Sequence, residues 1–363
     1  MPVEAKSMDV LQRNWTDRDG PTIFQTGERL NRKDIEIVEG DRDRPGIVFI
    51  HGLGMDKRIW VSPDEARILA GGFPIHILLC KRGFGSAPFK KRTLMRRRLI
   101  IGAPDCELHT VFHDLRKEGY TLIAWSQMRP AAPVDVVVNE LRDILNLSER
   151  FTPSGFILIG HSRGGLIGRR YLHLHKDRRV KALITISTPH SGTKMATFVK
   201  YISPIASFVR PLVSGPDRGR VLNILKRMSD FLTSRAVIEL LPDSYFIRSL
   251  DDSRMDGVKY LSIGGKSPSL LCIKRIIEVY DGNRKRVRME RIISFPDAIE
   301  RFVPQRLLPE EIRRGEGDGL VSIESSRIPW TSEHYNFNLN HAEILFSTKV
   351  RRRLFDKITE MTG

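Results

Sequence analysis

Short apolar runs alternate with stretches of helical periodicity along most of the chain. Residues 46–50 and 156–159 are continuous apolar runs, which are typical of parallel strands buried on both faces, and further strands are predicted at 121–125 and 180–186. Between and after them, apolar positions recur at the spacing of an amphipathic helix in residues 108–117, 133–147 and 165–176. Strands that alternate with helices predict βαβ units, and hence an α/β fold with a mainly parallel central sheet flanked by helices.

The pattern also predicts elements at the two ends of the chain. Residues 1–33 form a loosely structured lead-in, and residues 34–38 alternate as a half-buried strand does. Ser62-Pro63-Asp64-Glu65 resembles a helix start, and Gly71-Gly72 would end that helix. A further strand is predicted at 258–264 and a closing helix at 348–361.

Two segments interrupt the alternation and are predicted to be insertions in a single domain of residues 34–363. The first, at about 73–104, is basic. The second, at about 190–257, carries apolar residues broken by Pro204 and Pro211, as expected of a cap or lid.

The segment Gly160-His161-Ser162-Arg163-Gly164 has the pattern G-x-S-x-G between a predicted strand and a predicted helix. This context predicts a nucleophile elbow, in which a sharp turn exposes the serine at its apex. Gly160 and Gly164 suit the turn because a Cβ beside the serine would collide with the neighbouring strand or helix. Ser162 is therefore the candidate nucleophile.

Acyl transfer by a serine needs a base, an acid that orients the base, and donors for the oxyanion. The expected donors are the backbone N–H groups of Arg163 and of Leu53, which lies in the loop after an early strand. When the elbow comes first in the chain, the acid and the histidine follow it on late loops. His341 is the last histidine, and Asp318, with Glu316 as a rival, lies in a glycine-rich loop before it.

Further residues are predicted to support the site without transferring protons. His51 and His161 would do so through hydrogen bonds, Gly52 belongs to the same loop as Leu53, and His190 would order a loop at the rim.

Five collinear motifs resemble the α/β-hydrolase superfamily, and within it bacterial triacylglycerol lipases and related serine acylhydrolases. The motifs are His51-Gly52-Leu53-Gly54, Gly160–Gly165, Ser187–Thr193, Gly317–Ser322 and Asn340-His341. The resemblance implies an α/β-hydrolase fold with Ser162 as nucleophile, Asp318 as acid, His341 as base, and Leu53 and Arg163 as oxyanion donors. Some such lipases hold calcium beside the histidine; Glu343 is the single acid there, so no metal or other cofactor is expected.

Charge is the unusual bulk property, since 60 Lys and Arg against 43 Asp and Glu leave a net charge of +17. Eight basic residues and no acid lie between Lys81 and Pro104, and five more basic residues lie between Arg284 and Arg291. This excess favours anionic partners, with peripheral contact to an anionic membrane as the first expectation. Nucleic acid is not expected, because only Phe84 and Phe89 accompany the first cluster for base stacking.

The three cysteines lack metal or redox spacing, and residues 1–7 lack an apolar signal region, so a cytoplasmic location is expected. Nothing in the sequence indicates the oligomeric state.

Three functions remain open. The first is a serine hydrolase that cleaves carboxylic esters, of lipid or acyl type, through an acyl-enzyme. The second is an acyltransferase or thioesterase that uses the same triad, for which an acidic acyl carrier would explain the basic charge. The third is a non-catalytic, basic protein that binds membrane or nucleic acid.

Overall fold

A computed structural model describes most of the chain, with gaps in the two predicted insertions. The described residues are 32–68, 71–81, 99–104, 106–194, 219, 223, 226, 235–250, 254–281, 284–300, 303–331 and 333–362. The predicted lead-in (up to residue 31), the centre of the basic insertion and most of the cap segment lie outside them. The division into domain and insertions therefore stays a prediction.

Twelve strands lie in the described residues. They are β1 (Ile35–Val38), β2 (Gly46–Ile50), β3 (Arg67–Ile68), β4 (Phe73–Pro74), β5 (Leu99–Ile101), β6 (Leu122–Trp125), β7 (Phe156–His161), β8 (Val180–Ile186), β9 (Lys259–Gly265), β10 (Leu271–Asp281), β11 (Arg284–Phe295) and β12 (His334–Phe337).

Nine α-helices accompany the strands in the same ranges. They are α1 (Arg58–Val61), α2 (Val111–Lys117), α3 (Val134–Ser148), α4 (Arg163–His175), α5 (Arg235–Ile238), α6 (Tyr245–Arg248), α7 (Asp297–Glu300), α8 (Ile323–Ser326) and α9 (Thr348–Thr362).

Seven strands form the central sheet in the order β1-β6-β2-β7-β8-β9-β12. Only β1 runs antiparallel to its neighbour, and the six other strands are parallel. Because parallel strands end at one edge of a sheet, the loops that follow β2, β6, β7 and β8 meet at that edge. The predicted α/β fold with a mainly parallel sheet is thus confirmed.

Apolar side chains cover both faces of the central sheet. On one face Phe49 lies with its ring 5.1 Å from Trp60 and 5.3 Å from Phe112, measured between ring centroids. On the other, Trp125, Leu141 and Tyr171 belong to a second buried cluster. This arrangement explains why the predicted strands are apolar without alternation: each of them is buried on both faces.

The helix predicted to start at Ser62 is wrong. Residues Pro63–Glu65 form a single 3-10 turn, after which the chain is extended as β3 and pairs with β4. Ala66 and Ile68 are buried while Arg67 is exposed, a period of two that suits a strand and outweighs the helix-start signal.

A second sheet, of three antiparallel strands, joins β5 to the long hairpin of β10 and β11. This hairpin is not among the elements that the sequence pattern predicts. It places β5, which directly follows the cluster Arg96-Arg97-Arg98 in sequence, beside the start of β10.

No helix among the described residues has both the length and the apolar character needed to cross a bilayer.

Phe49 offers a test of the core. Replacing it by alanine removes a ring with no exposed surface, so we expect a loss of about 3–5 kcal/mol in the free energy of unfolding. Urea denaturation measures this. The control is Tyr245→Ala, whose side chain is 89% exposed and should change stability by less than about 0.5 kcal/mol. Equal stability of the two variants would contradict the described core.

Candidate active site

Ser162 lies at the turn between β7 and α4, at the edge where the parallel strands end. Its backbone has φ 55° and ψ −128°, a conformation that L-residues rarely adopt. The turn is held on both sides, since the Ser162 N–H donates to the Ile186 carbonyl at 2.8 Å and the Ser162 carbonyl accepts from the Gly165 N–H at 3.1 Å. The predicted strand, turn and helix are therefore present.

The glycines around Ser162 are required by close backbone contacts. A Cβ on Gly160 would lie 2.4 Å from the Gly165 nitrogen, and one on Gly164 would lie 2.3 Å from the Ile50 carbonyl oxygen. Both distances are far below van der Waals contact, and both obstacles are backbone atoms. The start of α4 can approach β7, at Gly160, and β2, at Gly164, this closely only because these positions lack a side chain.

The structure brings Asp318 and His341 together in the interior. His341 Nδ1 lies 2.9 Å from Asp318 Oδ2, and the His341 N–H donates to the Asp318 carbonyl at 3.0 Å. The other carboxylate oxygen, Oδ1, accepts from the N–H groups of Leu320 at 3.0 Å and Val321 at 2.8 Å. A carboxylate held in this way fixes the imidazole with Nδ1 protonated and leaves Nε2 free to act as a base.

His161 connects the elbow to His341. The ring centroids of the two histidines are 4.8 Å apart, and His161 Nε2–H donates to the His341 carbonyl at 2.9 Å. Burial and the neighbouring His341 hold the pKa of His161 well below its ordinary value, so its ring stays neutral. Within the described residues no hydrogen bond joins Ser162 Oγ to His341 Nε2, and that contact belongs to the proposal below.

The loop after β2, which carries Leu53, lies against the elbow. A Cβ on Gly52 would lie 2.9 Å from the Ser162 Cβ. His51, fully buried, is fixed at both ring nitrogens: Nε2 accepts from the Gln127 N–H at 3.0 Å, and Nδ1–H donates to the Gly52 carbonyl at 2.9 Å. Burial lowers the pKa of His51 to about 4, which keeps the ring neutral and Nε2 available as an acceptor at pH 7.

The N–H groups of Leu53 and Arg163 have no acceptor among the described residues. Arg163 is the first residue of α4, where N–H groups have no partner within the helix. Neither predicted oxyanion donor is therefore committed to another acceptor in the described ranges.

Glu343 holds the loop that carries His341. Its Oε1 accepts from the N–H groups of Cys80 at 2.8 Å and Lys81 at 2.6 Å, and its Oε2 accepts from the Asn340 N–H at 3.2 Å. Burial raises the pKa of this carboxyl. Asn340 adds two donors, to the carbonyls of Leu78 at 2.8 Å and Ser269 at 2.6 Å.

No group of three His, Cys, Asp or Glu side chains in the described ranges is arranged to hold a metal ion. From the sequence alone, Glu343 is weighed only as a metal ligand. In the structure its carboxylate instead joins residues 80–81 to the loop that carries His341.

His190 is buried beneath the site, not at an exposed rim. Its Nε2 lies 3.1 Å from Thr185 Oγ1, and its N–H donates to the Ser325 carbonyl at 2.7 Å. Arg169 donates to the His190 carbonyl at 3.1 Å. Burial, with the positive charge of Arg169, lowers the pKa of His190 well below its ordinary value, so it orders this loop as a neutral ring.

Sequence reasoning missed several polar residues that hold the site. Gln127, Glu140 and Glu239 all bond to backbone or charged groups next to the elbow or the His51 loop. A signal was available for Glu140, an acid on the otherwise apolar face of a predicted helix. Gln127 and Glu239 lie in irregular segments where the pattern gave no signal.

Part of the chain matches the model of a known protein family. A family model described as "alpha/beta hydrolase fold" matches residues 45–210, which include β2, β6, β7, β8 and the elbow. The order of the sheet, the serine turn and this match agree, so the chain has the α/β-hydrolase fold. The resemblance drawn from the five motifs is confirmed at this level.

Solved structures and one curated relative are also similar to parts of the chain. A Bacillus licheniformis lipase, BlEst2, is 16% identical with a TM-score of 0.49, covering 92% of this chain and 100% of that one. Esterase RhEst1 from Rhodococcus sp. ECU1013 is 14% identical with a TM-score of 0.44, covering 93% and 98%. A lysosomal thioesterase PPT2 homolog of Drosophila melanogaster is 34% identical over 67 residues, only 18% of this chain and 23% of that protein.

Gly164 and Gly168, one turn apart on α4, offer a test of the elbow. A Cβ on Gly164 meets backbone oxygens at 2.3 and 2.8 Å, whereas one on Gly168 meets at closest the end of the Leu183 side chain at 2.8 Å. We expect Gly164→Ala to cost at least about 2 kcal/mol in unfolding free energy. Gly168→Ala should stay within about 1 kcal/mol of the wild type, because better helix propensity offsets mild crowding. Urea unfolding of both variants measures this, and a Gly164→Ala variant as stable as Gly168→Ala would refute the tight elbow.

Proposed function

We propose that this protein is a serine hydrolase that cleaves carboxylic esters, of lipid or acyl type, through an acyl-enzyme. The observation that supports this best is the buried pair of His341 and Asp318 beside a serine in the strained turn of a nucleophile elbow. The strained turn presents Ser162 at the edge where the parallel strands end, and backbone strain of this kind often marks a functional site.

The proposed reaction begins when Ser162 Oγ attacks the ester carbonyl and its proton passes to His341 Nε2. Asp318 keeps Nδ1 protonated and stabilises the imidazolium that forms. The negative charge on the carbonyl oxygen is received by the N–H groups of Leu53 and Arg163. The alcohol then leaves with the proton from His341, and water, activated by the same histidine, releases the acid and restores Ser162.

Substrates with apolar acyl groups are proposed because of the sequence of the cap segment and two exposed side chains in its described part, residues 235–250. Ile238 is 47% exposed and Tyr245 is 89% exposed. Exposed apolar groups of this size suit contact with an acyl chain or a lipid.

A thioesterase is the second candidate, and the similarity to the Drosophila lysosomal thioesterase favours it. The same triad would attack a thioester, and the basic charge would suit an acidic acyl carrier or the phosphates of coenzyme A.

One experiment tests both candidates: a chain-length series of oxoesters and matched acyl thioesters, assayed with wild type, Ser162→Ala and Ser191→Ala. We expect wild type to turn over esters and Ser162→Ala to lose roughly 10⁴-fold in kcat or more. Ser191→Ala is the matched control, because this nearby serine is exposed and should keep wild-type turnover.

The outcomes separate the candidates. A higher kcat/KM for thioesters than for matched oxoesters would assign a thioesterase, and acyl transfer to added alcohols would assign a transferase. Turnover that persists in Ser162→Ala would refute the proposed nucleophile. A complete lack of turnover in the wild type would favour the non-catalytic alternative.

We also propose that the protein makes peripheral contact with anionic membranes from the cytoplasmic side. The basic cluster up to Arg98 leads directly into β5, which lies beside the start of β10 in the second sheet. The second basic cluster, at Arg284–Arg291, belongs to β11 of the same sheet, and such an excess of basic residues favours an anionic surface.

Vesicle flotation tests this contact. We expect binding to phosphatidylcholine vesicles only when phosphatidylserine is added, and release at high salt, because screening weakens the attraction. Replacing Arg96, Arg97 and Arg98 together by alanine should reduce binding. Replacing Arg306, Lys349 and Arg352 together by alanine removes three exposed charges that lie outside this cluster. This control variant should bind the vesicles as the wild type does. Equal loss in both triple variants would mean that net charge, and not this cluster, attracts the membrane.

A further inference from the structure

The loop that follows β6, residues Gln127–Ala132, bonds to both segments that carry the proposed oxyanion donors. We call it the β6 loop. In the sheet, β2 lies between β6 and β7. Because the loops that follow parallel strands leave the sheet at the same edge, the His51–Gly54 loop, which follows β2, begins between the β6 loop and the elbow.

One end of the β6 loop holds His51. The Gln127 N–H donates to His51 Nε2 at 3.0 Å, and the Gln127 side-chain amide donates to the His51 carbonyl at 2.9 Å. His51 has 1% and Gln127 5% of its surface exposed. These two bonds fix both the ring and the backbone of His51, two residues before Leu53.

The other end of the β6 loop is held by the Arg163 side chain. Its guanidinium donates to the Pro130 carbonyl at 3.0 Å and also to the Ala132 carbonyl. The same residue offers its backbone N–H as the second proposed donor. The β6 loop is thus bonded, at its two ends, to the segments from which the two donors project.

Two carboxylates, those of the buried Glu140 and the partly buried Glu239, keep the β6 loop and Arg163 in place. Glu140 accepts from the N–H groups of Met128 at 3.0 Å and Arg129 at 3.3 Å. Glu239 lies 3.6 Å from the Arg163 guanidinium and accepts from the Val134 N–H at 3.2 Å. A fully buried guanidinium is costly unless it is paired and hydrogen-bonded, so these partners make the position of Arg163 tolerable.

We infer that the β6 loop is a brace that sets the separation of the Leu53 and Arg163 N–H groups, with Gln127 and the Arg163 side chain as positioning residues. This inference rests on the proposed function. Donors to an oxyanion stabilise the transition state only if they are already aimed at it, and a misplacement of about 1 Å can cost two orders of magnitude in rate. Leu53 and Arg163 come from different loops, so their separation needs a connection such as this one.

The test uses variants that remove the brace and keep side-chain volume. Gln127→Met removes the amide donor to His51, and Arg163→Met removes the donors to Pro130 and Ala132, while Arg163→Lys restores a charge. Thr110→Val is the matched control: it removes another buried hydrogen bond to a carbonyl, from Thr110 Oγ1 to Trp60 at 2.6 Å, away from the site.

Steady-state kinetics, affinity for a trifluoromethyl ketone that forms a tetrahedral adduct, and urea unfolding are measured for each variant. We expect Gln127→Met to lower kcat about 10- to 100-fold with little change in KM, and to weaken the ketone in the same proportion as kcat/KM. Arg163→Met should act in the same direction, and Arg163→Lys should recover part of the loss. Thr110→Val should lose stability but keep kcat. Wild-type kcat and ketone affinity in Gln127→Met would overturn the brace.

Amide hydrogen exchange separates failure of the brace from failure of the proposed function. If the brace exists, Gln127→Met speeds exchange in residues 51–54 and leaves α9 unchanged, whatever reaction the protein catalyses. Unchanged exchange in residues 51–54 overturns the brace even if Ser162→Ala is inactive. Faster exchange with full turnover in Ser162→Ala would instead overturn the proposed function, and with it the catalytic role of the brace.

Discussion

The close approach of α4 to the end of β2, with Ser162 strained between them, is the constraint on which the rest of the site depends. The left-handed φ of Ser162 is maintained because strand β7 belongs to the central sheet and helix α4 packs against it, so that neither can relax independently. Gly160 and Gly164 make this possible, since any side chain there would strike backbone. The sheet as a whole therefore fixes the position of the serine hydroxyl. The proposed histidine, acid and oxyanion donors need only to be held at the same edge, where the parallel strands end.

Those partners are held mainly by buried carboxylates that accept backbone N–H groups. Asp318, Glu140 and Glu343 each accept at least two such bonds, and Glu239 accepts one beside Arg163. In these bonds the donors are backbone N–H groups, so no donor side chain is needed. Each bond fixes a loop at a defined place, which suits a site built from irregular segments. In contrast, His51, His161 and His190 have pKa values lowered by burial, so they act as neutral connectors and leave His341 as the proposed base.

The sequence alone predicts every strand of the central sheet except β12, and it proposes the triad, because both rest on local signals. Buried parallel strands are continuous apolar runs, and Ser162 sits in a motif whose spacing is a backbone requirement. The second sheet was missed because β10 mixes apolar and basic residues, although Asp281-Gly282 between β-rich segments is a recognised hairpin signal. The roles of Glu343 and Glu239 could not be predicted, since their partners are distant in sequence: Glu343 bonds to Cys80, 263 residues away, and Glu239 to Val134, 105 residues away. A helix pattern can identify a buried acid such as Glu140 but not the loop that it holds.

The most direct measurement of the central claim is the site of covalent labelling by a fluorophosphonate, located by peptide mass spectrometry on the folded wild-type protein. Phosphonylation needs an activated serine and donors for the phosphoryl oxygen, so it reports on the elbow, the histidine and the oxyanion donors together. We expect a single adduct on the peptide that contains Ser162, and no adduct after unfolding in urea. An adduct on another residue, or an unlabelled folded protein, would contradict the assignment of Ser162 as the activated nucleophile.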